Sequence, residues 1–480
     1  MKVLLINPPR ENEIFSNNPR IIEEERGYNP PLGLLYVAAY LIYNSDFDVT
    51  VIDSQVEELT YEGLKNRIGE LKPDVVGMTA MTMTLLDVIK TVDVVKEVDG
   101  DIRVVLGGPH VNLFPEETIG IDGVDYLVLG EGEIAFKELL DNLKSENRLR
   151  KIPGLVFTAK NNGVVNTGPH RVLEDLDAIP FPARGLVPYK KYSSLLTRGK
   201  TATTMITSRG CPFKCTFCDR PHLGKRFRAR SHKNVVDELE ACINMGISEF
   251  LIYDDTFTVD KKRVILICDE IVRRRLDIGF DIRARVDTVN SEVLKALKRA
   301  GCQGIHYGVE SATDKILKVL NKGITIKQVR EVFELTKRHR IPILAYFMIG
   351  NPKETKADIE TTFRIMKQLK PDYVHVTIFT PFPGTKIYLD GLESGFIKSD
   401  FWREFAKNPV KGFEIPVWEE HFTREELFEM IVKVYKDFYL RPSYVLSRLV
   451  KVKSIHELTK KMKAGLSVLF MKRDDGEGDE

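Results

Sequence analysis

Three cysteines, Cys211, Cys215 and Cys218, stand within eight residues in the segment SRGCPFKCTFCDRP. A structural zinc site closes its shell with a fourth cysteine or histidine, and His222 is the only near candidate. Three thiolates on a loop that follows a strand suit an iron–sulfur cube better, because they leave one iron without a protein ligand and open to a small molecule. An open iron implies chemistry or a bound cofactor. Cys242, Cys268 and Cys302 are scattered singly through predicted helices and strands and read as small buried apolar residues.

The surroundings of the thiols are basic. Arg209, Lys214 and Arg220 flank them, and the run Lys225-Arg226-Phe227-Arg228-Ala229-Arg230 follows. Such a run is either a solvated face before the helix predicted from Val235 or a set of cations that pair with carboxylates and phosphates of cofactors. Asp254 and Asp255 follow the apolar strand FLIY at a predicted strand end, placed to hydrogen-bond a cofactor or hold a substrate.

The elements that position these groups form two βα series. The first has strands at Lys2–Asn7, Asp48–Ile52, Val75–Met78, Arg103–Leu106 and Tyr126–Leu129, with helices at Leu32–Asn44, Thr60–Leu71, Leu85–Val95 and Glu133–Leu143. Turn-forming residues gather at the carboxyl ends of these strands, where open sheets bind ligands. From about Ile152 to Tyr192 the period is lost, with a short hairpin expected around Asn161-Asn162-Gly163. The second series has strands at Ala202–Thr207, Glu249–Tyr253, Phe280–Ala284, Gly304–Gly308, Ile343–Ile349 and Tyr373–Phe379, six parallel strands that would make an incomplete barrel. Helices follow from Arg424 to Lys463.

Composition sets the outer limits. With 480 residues, 43% hydrophobic and 29% charged, collagen, coiled-coil and disordered classes are excluded. Seventy-one Lys and Arg against 69 Asp and Glu leave a net charge of +2, so no global field draws the chain to nucleic acid, which is not an expected partner. Six cysteines are too few for a disulfide framework. The amino-terminal residues MKVLLINPPR do not read as a signal peptide, and no apolar run approaches the roughly 20 residues of a spanning helix. A reduced, cytoplasmic protein is expected.

The cysteine segment, with Phe217 before the last thiol, resembles the signature of the radical S-adenosylmethionine superfamily. The resemblance implies a [4Fe–4S] cluster whose open iron chelates S-adenosylmethionine and whose reduction yields a 5′-deoxyadenosyl radical. It also implies that Phe217 packs beside adenine, and that Glu310 and Ser311 in GVES contact the ribose or amine. Arg285 in RARVD lies by the carboxylate in that pattern, and Gly350, with Pro352 and Glu354, makes the turn near adenine. Asp254 joins this cofactor set. Tyr253, Tyr307 and Tyr346 lie near strand ends, as substrate contacts, radical quenchers or core.

The first series, with GGPHVNLFPEET and GEGE, is similar to the cobalamin-binding domain of the B12-dependent branch of that superfamily. NPPLGLLYVAAYL, RFRARS and PFPGT add to the likeness. The implied cobalamin contacts are Thr79 and Thr82, together with Thr84, then Gly107, Gly108, Pro109, His110 and Gly130. Gly107 and Gly108 would let the backbone approach a bulky ligand. Where histidine-ligating domains carry Asp-x-His-x-x-Gly, this chain reads Asp53-Ser54-Gln55-Val56-Glu57-Glu58, so no protein histidine is expected on cobalt. The implied architecture is a Rossmann-like parallel-sheet cobalamin domain (1–145), a linker with a short hairpin (146–196), a partial (β/α)6 barrel (197–400) and a helical C-terminal region with an acidic tail (401–480).

The implied reaction methylates an unactivated carbon: one S-adenosylmethionine methylates Co(I), a second yields the radical, and the substrate radical takes the methyl group. A radical oxidative cyclase or carbon–carbon coupling enzyme on a lipid or tetrapyrrole is the first alternative, and a non-catalytic cobalamin or metal-binding module the second. Partners expected are a small-molecule or lipid substrate and a one-electron reductant such as ferredoxin or flavodoxin. The segment from Arg441 to Arg473 carries nine cations against the single acid Glu457, which allows peripheral membrane contact through basic amphipathic helices.

Overall fold

The computed structural model describes residues 1–15, 17, 27–161, 163–192, 201–219, 226–449. Its first sheet has seven strands: β1 (Lys2–Asn7), β2 (Asp48–Asp53), β3 (Val75–Thr79), β4 (Arg103–Gly107), β5 (Tyr126–Val128), β6 (Leu155–Thr158) and β7 (Val164–Asn166). They are ordered β2-β1-β3-β4-β5-β6-β7. β1 pairs in parallel with β2 on one side and β3 on the other, so the strand order reverses there and a crevice opens at their carboxyl ends. The expected hairpin is present, although Asn162 at its turn lies outside the described residues. Its two strands do more than link, since β6 pairs antiparallel with β5 and extends the sheet.

Helices cover both faces because both faces of a parallel sheet are apolar. The Leu32–Asn44 and Gly132–Asn142 helices pack Leu35, Ala38, Leu41, Phe136 and Leu139 on one side. Tyr61–Leu71 and Leu85–Val98 pack Leu64, Ile68, Val88, Val92 and Val95 on the other.

The second sheet is made of β8 (Ala202–Met205), β11 (Glu249–Ile252), β12 (Gly279–Ala284), β13 (Cys302–Glu310), β14 (Ile343–Ile349) and β15 (Tyr373–Ile378), all parallel and adjacent in chain order. Between β8 and β11 a small ribbon pairs β9 (Ser208–Arg209) with β10 (Arg228–Ala229). Alternation along the strands sorts the side chains. Ile282, Ile305, Tyr307, Ala345, Phe347, Val374 and Val376 enter the core under the helices. Asp281, Arg283, His306, Tyr346 and His375, at the alternate positions, therefore face the concave side. Tyr307, a candidate substrate contact from sequence, is core: it is fully buried with its hydroxyl 3.0 Å from Thr336 Oγ1.

β15 ends the sheet, and the Arg424–Tyr439 helix closes that edge. The Tyr435 hydroxyl accepts from Val376 N at 2.9 Å, and the Tyr439 hydroxyl accepts from Val374 N at 3.0 Å, which satisfies edge groups that would otherwise invite pairing. Most of the basic segment and the acidic tail, residues 450–480, lie outside the described residues, so the expected helix to Lys463 is described only as far as Leu449. No helix of the described residues is long and apolar enough to cross a membrane.

Candidate cluster and cofactor site

The three thiols lie on the loop that leaves β9. Cys211 and Cys215 are half-buried and Cys218 is exposed. Among the described residues no three Cys, His, Asp or Glu side chains converge as a single ion requires. Three thiolates that serve separate irons of a cube need no such convergence, so the donor set fits a cluster better than one zinc ion. His222, the possible fourth zinc ligand, lies outside the described residues.

The loop is held from below. Asp254, 1% exposed, accepts from Thr207 N at 2.6 Å, Thr207 Oγ1 at 2.6 Å and Ser208 Oγ at 2.5 Å. Its carboxylate thus holds the chain entering the cluster loop, a positioning role that the sequence did not show. Arg263 adds a bond to Thr207 O at 2.8 Å. Thr216 N donates to Leu320 O at 3.0 Å and Ile387 N to Thr216 O at 3.1 Å, tying the middle of the loop to the far side of the barrel mouth.

Arg285 stands against the thiols. Its Nη1 is 3.6 Å from Cys215 Sγ, its guanidinium lies 3.8 Å from the Phe213 ring centroid, and Nε and Nη2 each reach the Asp287 carboxylate at 2.9 Å. The expected contact with a cofactor carboxylate is replaced in this structure by Asp287 and the cluster loop.

Glu310 has φ +68, the left-handed region that a non-glycine residue adopts at a cost of about 1–3 kcal/mol and that recurs at functional sites. The bend follows a register shift between Gly308 and Glu310. It sends the carboxylate to Lys322 Nζ at 2.7 Å, and Lys322 stands 5.7 Å from the Phe217 ring centroid. A Cβ on Gly308 would come within 2.5 Å of Glu310 Oε1 and 2.9 Å of Lys322 Nζ, so a larger residue there would push the pair aside. Ser311, by contrast, is fully buried, its hydroxyl 3.4 Å from those of Thr313 and Thr362, away from the mouth. Gly350, at φ +77, makes its close approach to Leu427 of the C-terminal helix, 2.8 Å from where a Cβ would stand.

At the first sheet's carboxyl edge, the loops are bound to one another. Asn112 donates to Gly108 O at 2.8 Å and accepts from Gly130 N at 2.7 Å. Gly108, at φ +98 between Gly107 and Pro109, is required because a Cβ would meet Thr79 Cγ2 at 2.7 Å and Ala80 O at 2.9 Å. A Cβ on Gly130 would fall inside the His170 ring. The close approaches these glycines permit are therefore to the chain itself, while Gly107 has ordinary room. His110 is fully buried, with Nδ1 3.0 Å from Thr82 Oγ1, and burial pushes its pKa down to about 4, so the ring is neutral. Its Nε2 and the Ser54 hydroxyl are buried without partners at this edge, two polar atoms that a bound polar cofactor would satisfy. Asp53 accepts from Asn7 Nδ2 at 2.7 Å and from the Tyr192 hydroxyl at 2.6 Å, so the loop without a histidine is closed by side-chain bonds.

The described basic run divides: Lys214 and Arg226 are exposed, Arg226 in a surface pair with Glu174, whereas Arg209, Arg228 and Arg230 turn inward to carboxylates. Arg209 reaches Glu131 at 2.9 Å and Glu133 at 2.5 Å, the two acids of GEGE. Arg228 reaches Glu131 at 2.8 Å, while Arg230 and Arg184, the latter at 2.6 Å, both bind the fully buried Glu238. Burial raises the Glu131 carboxyl, but Arg228 and Arg209 outweigh it and hold the acid below its ordinary range. Sequence reasoning marked GEGE and the arginines without pairing them. It missed Lys322, Asn112 and Phe213 because no pattern distinguishes them from ordinary loop residues.

The radical SAM superfamily model matches residues 205–382, and the B12 binding domain model matches residues 21–140. An uncharacterised methyltransferase of Pyrococcus horikoshii is 37% identical over 93% of this chain and 94% of its own length. An anaerobic magnesium-protoporphyrin IX monomethyl ester cyclase of Rubrivivax gelatinosus is 28% identical over 93% of this chain and 78% of its own. Among solved structures, the cobalamin-dependent S-adenosylmethionine radical enzyme OxsB shares the fold at TM-score 0.74 and 19% identity, over 98% of this chain and 72% of that one. The radical S-adenosylmethionine methyltransferase TsrM of Kitasatospora setae does so at TM-score 0.67 and 21% identity, over 82% of this chain and 76% of that one.

Proposed function

We propose that this chain, which belongs to the radical S-adenosylmethionine superfamily and to its branch with a B12-binding domain, is a cobalamin-dependent methyltransferase acting on an unactivated carbon of a small molecule. The observation that carries the reading is the bond between the domains at the cluster loop. Arg209, two residues before Cys211, is gripped by Glu131 and Glu133 of the first domain, so the two cofactor edges share one crevice.

When bound, the [4Fe–4S] cluster with S-adenosylmethionine supplies a hydrogen-abstracting radical, and cobalamin supplies the methyl group. Cys211, Cys215 and Cys218 hold the cube, with Arg285 beside Cys215. Phe217 and the Glu310–Lys322 pair stand at the mouth for S-adenosylmethionine. Thr79, Thr82, His110 and the loops after Gly107 and Gly130 receive cobalamin, with no histidine offered from the Asp53 loop. A one-electron reductant such as ferredoxin or flavodoxin completes the system, and the basic segment after Arg441 supports peripheral membrane contact. Ring closure on a tetrapyrrole is the second reading, favoured by the 28% identity to a cyclase over most of both chains.

Anaerobic reconstitution with iron, sulfide and hydroxocobalamin tests this. The expected protein holds about four irons, retains corrin absorbance through gel filtration and forms 5′-deoxyadenosine from S-adenosylmethionine and reductant. Absence of 5′-deoxyadenosine overturns the radical reading. Cleavage without retained corrin overturns the methyltransferase reading and leaves the cyclase chemistry. Cys215→Ala should lose both iron and cleavage.

A further inference from the structure

We propose that the concave face of the barrel carries a receptor for an oxyanion of the substrate, a carboxylate or a phosphate group, built on Arg283. The assignment of this oxyanion to a substrate rests on the methyltransferase reading, since it places the substrate beneath the cluster loop.

Asp281 and Arg283 alternate along one face of β12, and Arg285 follows just past its end. The outer two are engaged. Arg285 is held by Asp287, and Asp281 Oδ2 lies 3.3 Å from His306 Nε2. With the proton on Nε2 toward that carboxylate, His306 Nδ1 accepts from the Tyr346 hydroxyl at 3.2 Å. Asp281, the acid nearest in sequence, is thereby turned to a histidine and a tyrosine. No carboxylate among the described residues pairs with Arg283.

That isolation is local. On the outer surface Arg274 has three acids, Asp237, Glu240 and Glu270, within 2.8 Å, and Arg184 and Arg230 share Glu238 in the core. Arg283 is exposed on the concave side, yet it is not a loose surface cation: its guanidinium lies 4.1 Å from the Tyr253 ring centroid. Stacking on an aromatic face fixes the plane of the fork and leaves its edge N–H groups to a ligand, the geometry that matches carboxylate and phosphate oxygens in pairs. The surrounding wall is polar, with the Asp281 carboxylate near enough to act on both the Tyr253 and Tyr346 phenols. Tyr346 meets His375 edge-on at 5.5 Å between centroids. Burial raises the Tyr253 phenol and raises that of Tyr346 to about 12, so both stay protonated donors at neutral pH. A fixed cation that pairs with no carboxylate among the described residues, beside two phenol donors, selects an anion over a cation or an uncharged group.

The test uses the reconstituted full-length protein with cobalamin bound and S-adenosylmethionine in excess, so that cofactor sites are filled. Inorganic phosphate, propionate and the uncharged isostere propionamide are titrated calorimetrically. Saturable binding of phosphate or propionate is expected, with propionamide silent, and the tighter of the two anions names the substrate group. Arg283→Gln should weaken that binding at least tenfold and Arg283→Lys by less, while Arg364→Gln, on an outer helix, should not change it. No binding of either anion, equal binding by Arg283→Gln, or equal binding of propionamide overturns the receptor. These outcomes are independent of whether methyl transfer occurs, so failure of the receptor and failure of the methyltransferase reading are read separately.

Discussion

The seam between the domains and the concave face of the barrel both carry arginines, and they treat them in opposite ways. Around the seam four guanidiniums meet carboxylates, Arg209 and Arg228 on Glu131 and Glu133, Arg184 and Arg230 on Glu238. These groups are nearly dry, with the Glu131 and Glu238 side chains at 1% and 0% exposure. On the concave face Arg283 keeps its water and has no such partner. A charge taken out of water must be paired or neutralised, whereas a charge left wet can wait for a ligand. Pairing therefore marks what holds the molecule together, and its lack marks what the molecule holds.

The largest expected effect breaks the seam at its driest point. Glu238→Gln leaves Arg184 and Arg230 buried without a counter-charge, which costs about 3–5 kcal/mol. Burial alone raises the Glu238 carboxyl, but the two arginines outweigh it and hold it below its ordinary value of 4.5. A depressed acid contributes stability above its unfolded value and loses it as pH falls through the folded one. The gap between wild type and Glu238→Gln in urea melts should therefore be full at pH 7 and shrink below pH 4.5.

Glu131→Gln should cost less, about 3 kcal/mol, because Arg209 keeps Glu133. It carries a second readout that a merely stabilising pair would not move. Arg209 leads directly into Cys211, so the variant should reconstitute with less iron than wild type, measured per folded chain. Full iron with lowered stability would reduce the seam to a domain clamp.

Much of this arrangement was legible in the amino-acid order, and the part that was not has a physical reason. Strand positions came within a residue or two, and the Leu32–Asn44 helix has the expected bounds, because period and capping are local properties. The thiols, Glu310 and Arg285 were found at strand ends, and the structure brings them to one mouth. The pairing of GEGE with the arginines was not legible, since Glu131 and Arg228 stand 97 residues apart and composition shows only that both charges exist. The bonds of Asp254 to Thr207 and Ser208, and the contacts of Ser311 with Thr313 and Thr362, were not legible for a related reason: a strand end states where a residue is, not which way its side chain turns. Gly350 and Gly130 showed the need for a close approach but not that its object was Leu427 or His170.

A third behaviour lies between the two regions. Glu354 is 1% exposed, with Oε2 bonded to Asn351 N and Nδ2 at 3.0 Å and Oε1 without a partner. Having no cation, it neutralises instead, and burial raises its pKa from 4.5 to about 7. Between those values the folded chain holds a proton that the unfolded chain has released, so stability falls as pH rises through the window. Glu354→Gln should be more stable than wild type at pH 8 by about 1–2 kcal/mol, with the difference gone by pH 4.5. Equal pH profiles for the two proteins would place a counter-charge on Glu354 and remove it from the comparison.

Arginine lacks that escape, because it does not deprotonate in proteins. A guanidinium without a carboxylate must stay wet, find an anion or, as the buried Arg263 does, donate to backbone oxygens, and Arg283 stays wet. Its removal should therefore change the stability of the unliganded protein by no more than about 0.5 kcal/mol, the range for exposed positions. The contact with Tyr253 is the only described interaction lost, and Tyr253 keeps its place at the end of β11. Adding the tighter anion should then raise the melting temperature of wild type and leave that of Arg283→Gln unchanged, since a ligand stabilises only the state that binds it. A loss of more than about 1.5 kcal/mol in the unliganded variant would mean that Arg283 supports the barrel as the seam arginines do. The two regions would then differ only in how much water reaches them.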